Sequence, residues 1–498
     1  MCGIAGIVDF QGKRELSREL IHTMNESQFH RGPDEGGIWM DAGVALAHRR
    51  LSIIDLSSGQ QPMSSADGQI VLVYNGEIYN FPELKEQLSK EGYSFRTHCD
   101  TEVILYAWLH WGRECVNHFR GMFAFALWDK RHETLFMARD RLGIKPLHYA
   151  VLPNGQLLFG SELKVLLKHP ELPREMLPEA VEQYMHYGYI PDPNTILRSV
   201  KKLEPGHSLF IRRGQPIPTP VQYWDVPFTP LPKASSEELQ EELVRQIREA
   251  VKIRMVADVP LGAFLSGGVD SSAVVAMMAG ESPDPVNTCS IGFKEAAWDE
   301  SEYARDVAER YKTDHEMRRV ASDDFDLIDE LAMLYDEPYA DSSAMPTYRV
   351  CQLAREKVTV ALSGDGGDEA MAGYRRYRYH MLEEGMRSRV PLGMRKPVFG
   401  PLGKYYPKLD WMPRYVRGKT TFQAMARDSV EAYAHSMSVT PEPLREQLYS
   451  NSFKSELQGY HAREVMRQHA NRSPTDDPLA LVQYIDFKTY LPGDILTK

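Results

Sequence analysis

Between Gln215 and Ser236 the chain reads QPIPTPVQYWDVPFTPLPKASS, and this run limits the fold more than any other feature. Each proline removes an amide donor and fixes φ, so neither a helix nor a central strand passes through it. We expect a linker over 210–236 separating two folding units, 2–209 and 237–498. The length of 498 residues agrees, because a single core seldom grows beyond about 250–300 residues.

Periodicity differs on the two sides. From Cys2 to about Leu209, short apolar runs are punctuated by Gly, Asp and Asn. GIAGIVDF, IVLVYN (Ile70–Asn75) and FAFALW (Phe123–Trp128) read as strands of one or two sheets, with helical spacing over Leu16–Phe29 and Thr101–Trp111. Beyond the linker, helical spacing over Glu237–Met255 leads into VPLGAFLSGGVDSSAVVAMMAG, which reads as strand, glycine turn and helix. VNTCSIGF and VTVAL are further strands, with helices expected near Glu300–Tyr311 and Met345–Lys357. This alternation specifies a parallel sheet covered on both faces, whose ligands sit beyond the carboxyl ends of the strands. SGGVDSS (Ser266–Ser272) and SGDGGDE (Ser363–Glu369) both follow strands at that end, so the two loops are expected to meet over one pocket. Tyr374–Lys498 is helix-compatible, beginning with RRYRYH and interrupted by prolines between Val390 and Pro413.

Composition excludes some function classes. Lys+Arg 58 against Asp+Glu 69 leaves a net charge of −11, which argues against a nucleic-acid-coating surface or a basic membrane face. Five scattered cysteines without zinc spacing fit a reducing compartment, and no apolar run nears the roughly 18–20 residues that span a bilayer. We therefore expect a cytoplasmic protein with no nucleic-acid or membrane partner, in which Cys99, Cys115, Cys289 and Cys351 are core thiols. The closing DFKTYLPGDILTK has no helix stop or polar tail, so the second unit is expected to be incomplete at its C-terminus.

Cys2 opens the first strand. A cysteine there is commonly a small buried hydrophobe, but removal of Met1 would leave an amine on the residue that bears the thiol. An α-amine with a pKa near 8 can accept the thiol proton, so one residue would supply nucleophile and base. Attack on an amide also needs donors for the oxygen that becomes negative. NGEIYN (Asn75–Asn80) offers the Asn75 side chain and the Gly76 amide, although Asn-Gly is equally a turn signature.

Together with HRGPD (His30–Asp34), AHRRLSI (Ala47–Ile53), NGEIYN and GMFAFALWD, the opening MCGIAGIVDF resembles the class II glutamine amidotransferase domain. The resemblance implies an α+β fold, the N-terminal-nucleophile αββα sandwich, that hydrolyses glutamine to glutamate and ammonia. It places Cys2 as nucleophile and base, and Asn75 and Gly76 as oxyanion donors. Arg50 falls on the substrate carboxylate, and Glu77 and Asp100 on its amino group, pairings that suit a guanidinium and two carboxylates.

SGGVDSS lacks both the lysine of GxxxxGK[ST] and the GxGxxG spacing. Its glycines let amides and a helix end face phosphate oxygens, while Asp270 there would need magnesium. In its strand context it resembles the pyrophosphate loop of N-type ATP pyrophosphatases, and SGDGGDE resembles the acidic loop of asparagine synthetases. The resemblance implies ATP and Mg2+ as cofactors. Around ATP and pyrophosphate it places Leu265, Ser266, Gly267, Gly268, Asp270, Ser271 and Ser272, with Ile291 and Gly292 of SIGF and Ser363 and Gly364. Asp270 and Asp368 fall on the metal. Asp365 stands where the best-known members carry Glu, so it is a metal or acceptor contact of shorter reach.

The order of modules is similar to that of glutamine-dependent asparagine synthetases, in which an α/β parallel-sheet ATP pyrophosphatase domain with added helices follows the amidotransferase. What this implies is conversion of aspartate to asparagine through a glutamyl thioester, transferred ammonia and β-aspartyl-AMP, releasing glutamate, AMP and pyrophosphate. Glutamine, aspartate and ATP are the implied substrates, an interdomain tunnel the implied ammonia route, and a homodimer the suggested assembly. Two alternatives stay open: amidation of another carboxylate or of a surface-polysaccharide sugar precursor, and a non-catalytic structural or regulatory partner.

Overall fold

A computed structural model of the chain describes residues 1–229, 233–295, 299–320, 325–407, 411 and 418–498. Parts of both proline-rich stretches, 230–232 and 408–410 with 412–413, lie outside the described residues. The first unit contributes strands β1 (Gly3–Asp9), β2 (Glu35–Asp41), β3 (Val44–Arg50), β4 (Met63–Ser64), β5 (Ile70–Ile78) and β6 (Gly121–Asp129). These are followed by β7 (Thr134–Arg139), β8 (His148–Val151), β9 (Gln156–Gly160), β10 (Val200–Lys202), β11 (His207–Arg212) and β12 (Val221–Gln222). They form two sheets, ordered β10-β8-β9-β1-β3-β2 and β12-β11-β7-β6-β5-β4.

Alternation along each strand sorts its side chains between two layers. Ile4 and Val8 of β1 meet Val71 and Val73 of β5 in the core between the sheets. Ala5 and Ile7 point the other way, under Ile21 and Met24 of the Arg18–Glu26 helix. Leu72 and Tyr74 pack beneath the helices Phe81–Lys90 and Thr101–Trp111. The result is the expected αββα sandwich, and IVLVYN reads as a continuous apolar run because β5 is covered on both sides.

The second unit holds β13 (Leu261–Phe264), β14 (Asn287–Phe293), β15 (Asp314–Val320) and β16 (Val360–Leu362), all parallel and ordered β15-β14-β13-β16. The helices Val269–Glu281 and Ser301–Tyr311 cover one face through Val275, Met278 and Ala304, and Ala344–Arg355 covers the other through Leu353 and Ala354. β15, with the sequence DHEMRRV, has no counterpart in the sequence-based expectation. It is an edge strand, and its charged side chains obscure a β pattern that only pairing with β14 makes evident.

The proline-rich run is not a free tether. β12 pairs with the edge of β11, and the Tyr223 and Trp224 amides donate to the Gly206 carbonyl, before Asp225 pairs with Lys488 of the second unit. An edge position tolerates the surrounding prolines because only one side of the strand needs donors. The helix Ser236–Ile253 then starts with a reciprocal cap between Ser235 and Glu238. A second join is made by the helix Pro178–Tyr187, whose Glu182 forms a buried ion pair with Arg445 at 3.0 Å and whose Tyr187 hydroxyl donates to the Ala462 carbonyl. Cys99, Cys115 and Cys289 are buried as expected. Cys351 instead belongs to an exposed position of the Ala344–Arg355 helix.

Candidate active site

Cys2 sits immediately before β1, which pairs with β3 so that Gly3 lies opposite Arg49 and the next residue of β3 is Arg50. The Arg31 Nε donates to the Cys2 carbonyl at 2.9 Å, and the thiol approaches the Leu51 carbonyl at 3.7 Å. Burial pushes the thiol pKa up, against the pull of the nearby cations Lys145 and Arg50. The leading amine, on Met1, is lowered to about 5 by burial, with repulsion from Arg31 and Lys145 adding to the shift.

β5 supplies the next three predicted residues in succession. Asn75 is 1% exposed, and neither its Nδ2 nor its Oδ1 has a hydrogen-bond partner. A buried amide left unpaired costs about 1–3 kcal/mol, so Asn75 carries a donor and an acceptor that the protein itself does not use. Gly76 must be glycine, because a Cβ there would run into the Met122 carbonyl and the Phe123 backbone on the paired β6. The Glu77 carboxyl is raised to about 7 by burial, partly offset by Lys145.

Arg50 is buried and braced. Its Nη1 donates to Glu35 at 3.0 Å, and its Nη2 donates to the Ile54 and Asp55 carbonyls at 3.1 and 2.7 Å. Three bonds engage three of the five N–H donors of a guanidinium and leave two for a ligand. Asp100 is also buried, but its Oδ2 already accepts from the Tyr74 hydroxyl at 2.7 Å and the Ile78 amide at 2.9 Å. It thus braces β5.

Lys145 was not singled out by sequence. Its Nζ is buried beside the Met1 sulfur at 3.2 Å, and burial lowers its pKa while Glu77 opposes the shift. The buried Asp140 carboxylate fixes its backbone by accepting the Ile144 and Lys145 amides, each at 3.0 Å. The only signal was a lysine inside the otherwise apolar LGIKPL.

The second constellation lies where the parallel strands end. Gly267 has φ +81°, and a Cβ there would come within 2.5 Å of Tyr303, so the SGG turn depends on glycine. Ser266 and Ser271 share a 2.9 Å hydroxyl contact, and the Gly268 amide donates to Ser266 Oγ. The Ser272 hydroxyl, in the first turn of the following helix, is buried without a partner. Leu265 is core, and its amide donates to the Cys289 carbonyl. Ile291 and Gly292 lie in β14 just before its last residue, Phe293, while Ser363 and Gly364 begin the second loop.

The two loops do meet. A Cβ on Gly364 would lie 2.9 Å from Asp270 Cβ, and one on Gly367 would lie 2.5 Å from its Oδ2. Burial and the neighbouring Asp368 both raise the Asp270 carboxyl. Asp365 is exposed and accepts from the Ser363 hydroxyl at 2.8 Å, within its own loop. Among the described residues no group of three or more His, Cys, Asp or Glu could hold a metal. Two facing carboxylates nonetheless fit magnesium, which commonly takes one or two carboxylates and completes its shell with phosphate and water.

Sequence reasoning also passed over Glu369, which is fully buried with Oε1 on the Tyr374 hydroxyl and Oε2 unpartnered. Beside it Arg376 stacks 3.6 Å from the Tyr374 ring and bonds the buried Asp486. Between the two units lies a cavity of about 130 Å³, lined by Met1, Arg31 and Ile144 from one and Tyr335, Asp336 and Pro492 from the other. No helix among the described residues is long and apolar enough to cross a membrane.

Comparison with known proteins covers both units. A family model described as a glutamine amidotransferase domain matches residues 1–224, and one described as asparagine synthase matches 242–498. Glutamine-hydrolysing asparagine synthetase 1 of Bacillus subtilis is 34% identical over 501 residues, covering 100% of this chain and 77% of the relative. A Methanocaldococcus jannaschii protein, provisionally named a second such synthetase, is 42% identical over 399 residues, covering 75% of this chain and 76% of its own length. A similarly named Mycobacterium bovis protein is 36% identical over 528 residues, covering 100% of this chain and 78% of its own. With both family models in order along one chain and these relatives spanning both, the protein belongs to the glutamine-hydrolysing asparagine synthetase family of ligases.

Proposed function

We propose that Cys2, freed of Met1, hydrolyses glutamine through a glutamyl thioester and that the released ammonia converts ATP-activated aspartate to asparagine. We assign the first reaction to the unit expected over 2–209, which β11 and β12 extend to Gln222, and the second to 237–498. The thiol would attack the side-chain amide carbon, its proton passing to the α-amine of the same residue and then to the departing ammonia. The observation that carries this reading is the buried, unpartnered Asn75 amide, a donor suited to the oxygen that turns negative. Gly76 would add its amide, the two remaining Arg50 donors would grip the α-carboxylate, and Glu77 and Asp100 would face the α-ammonium.

In the second unit the aspartate carboxylate would attack the α-phosphorus of ATP, forming β-aspartyl-AMP and releasing pyrophosphate. Adenylation is needed because an ionised carboxylate is a poor electrophile. Ser266, Gly267, Gly268, Ser271 and Ser272 would hold phosphates, with Ile291, Gly292, Ser363 and Gly364 around the nucleotide and Leu265 acting through its backbone. Magnesium held by Asp270 and Asp368 would screen the charge of the pyrophosphate. Asp365, exposed at the rim, would contact the acceptor or the metal shell. The cavity between the units supports direct passage, because free ammonia in neutral water becomes ammonium and loses its nucleophilic lone pair.

The test supplies glutamine, ATP, magnesium and a panel of carboxylic acids. Aspartate-dependent asparagine, AMP and pyrophosphate support the proposal, whereas amidation of a different acid alone would replace the acceptor. Cys2→Ala is expected to abolish glutamine-dependent product and spare ammonia-dependent product. Loss of both in a folded variant would contradict the division of labour.

A further inference from the structure

One short segment of the second unit touches both the loop that braces Arg50 and Tyr79 just past the end of β5, and no step above uses it. It is the connection between the helix Ser236–Ile253 and β13. Asp258 within it makes a reciprocal pair of bonds to the first unit: its Oδ2 accepts the Asp55 amide at 2.8 Å, and its own amide donates to the Ile53 carbonyl at 2.9 Å. The loop gripped in this way supplies the Ile54 and Asp55 carbonyls that hold Arg50 Nη2. Asp55 has φ +53°, a left-handed conformation that a residue with a Cβ keeps only when its surroundings impose it. Those surroundings are Asp258 on the backbone amide, and Ser58 and the His98 amide donating to the Asp55 carboxylate.

In the same segment, Arg254 places its guanidinium carbon 4.6 Å from the centre of the Tyr79 ring, two residues beyond Glu77 on the chain that carries Asn75. The Tyr79 amide donates to the Arg120 carbonyl, and the Arg120 side chain pairs with Glu249 of the helix that leads to Arg254. Only two residues separate Asp258 from Leu261, the start of the strand whose far end is the SGGVDSS loop. A displacement of that strand therefore reaches the Arg50 loop through two hydrogen bonds.

We infer that Asp258 is a positioning residue through which the second unit sets the affinity of the glutamine pocket, by holding the loop that aims Arg50. The inference rests on Arg50 being the clamp for the glutamine carboxylate. Without the Asp258 carboxylate, the Asp55 amide loses its acceptor and the two carbonyls bracing Nη2 are free to turn away. Cys2 and Asn75 are untouched, so binding suffers and chemistry does not.

The experiment measures glutamate release against glutamine concentration in the full chain and in Asp258→Ala, Asp258→Asn and Arg50→Lys, with thermal unfolding as the check on folding. We expect Asp258→Ala to raise the glutamine KM about tenfold, the size of one lost charge-assisted hydrogen bond, with kcat within about twofold. Asp258→Asn keeps an oxygen acceptor for the Asp55 amide and should restore most of the affinity. If the alanine variant does not fold, Asp258→Glu, whose acceptor is displaced by one methylene, carries the same expectation. An unchanged KM in a folded Asp258→Ala or Asp258→Glu, while Arg50→Lys raises it, would overturn the inference and leave the pocket intact. An unchanged KM in Arg50→Lys as well would remove the premise, so that the pocket assignment falls together with the inference. A loss of kcat at constant KM would also overturn it, because positioning of Arg50 acts on binding.

Discussion

Replacing Asn75 by leucine should move stability and activity in opposite directions. Leucine matches asparagine in branching and approximate size, so it can occupy the site beside Tyr74 without a large cavity. The native side chain has two buried polar atoms and no partner for either, a burden of about 1–3 kcal/mol on the resting fold. Removing that burden should leave the unfolding midpoint of the first unit unchanged or raise it. The same change deletes the donor proposed for the developing oxyanion, a loss that typically lowers kcat by about 10²–10³-fold, or about 2.7–4 kcal/mol of transition-state stabilisation. The glutamine KM should move much less, because the proposed donor acts on an oxygen whose charge grows only in the transition state. Glutamate release measured against glutamine concentration, with thermal unfolding of the same preparations, gives both signs at once. A variant that is destabilised by several degrees yet turns over glutamine at the native rate would mean that Asn75 is a structural residue, and the oxyanion assignment would have to be abandoned.

Other consequences follow from charge and burial. Arg445→Ala strands the buried Glu182 carboxylate, so denaturant unfolding should show a loss of about 3–5 kcal/mol, while the double change Glu182→Leu with Arg445→Met should recover most of it. Burial raises the Glu77 carboxyl to about 7, so 1/KM for glutamine should fall as pH drops through about 7 and the charge proposed to face the ammonium is lost; Glu77→Gln should flatten that profile. Because the folded state holds this proton above the ordinary carboxylate range of about 4.3, Glu77 also makes stability decline as pH rises from about 4.5 toward 7. Chelation of magnesium, or Asp368→Asn, should suppress AMP formation by more than about tenfold and leave glutamate release intact, as measured on the two products separately.

Much of this protein can be read along the chain because its signals are local. β1, β5 and β6 follow from runs of apolar residues, and the SGG turn follows from a glycine that must take positive φ between a strand and a helix. Cys2, Asn75 and Asp270 could be singled out because each sits inside a short pattern whose chemistry is stated by its neighbours. β15 could not, since its charged residues become a strand only through pairing with β14. Nor could the buried Lys145, the Glu182–Arg445 pair 263 positions apart, or the Asp258–Asp55 bond 203 positions apart. Sequence alone determined the two layered units and most of the groups offered for chemistry, because dihedral preference and burial pattern act over a few residues. Tertiary structure decided which charges are buried, which amide is left unpaired and which loop the second unit grips, because each depends on surfaces brought together from distant parts of the chain.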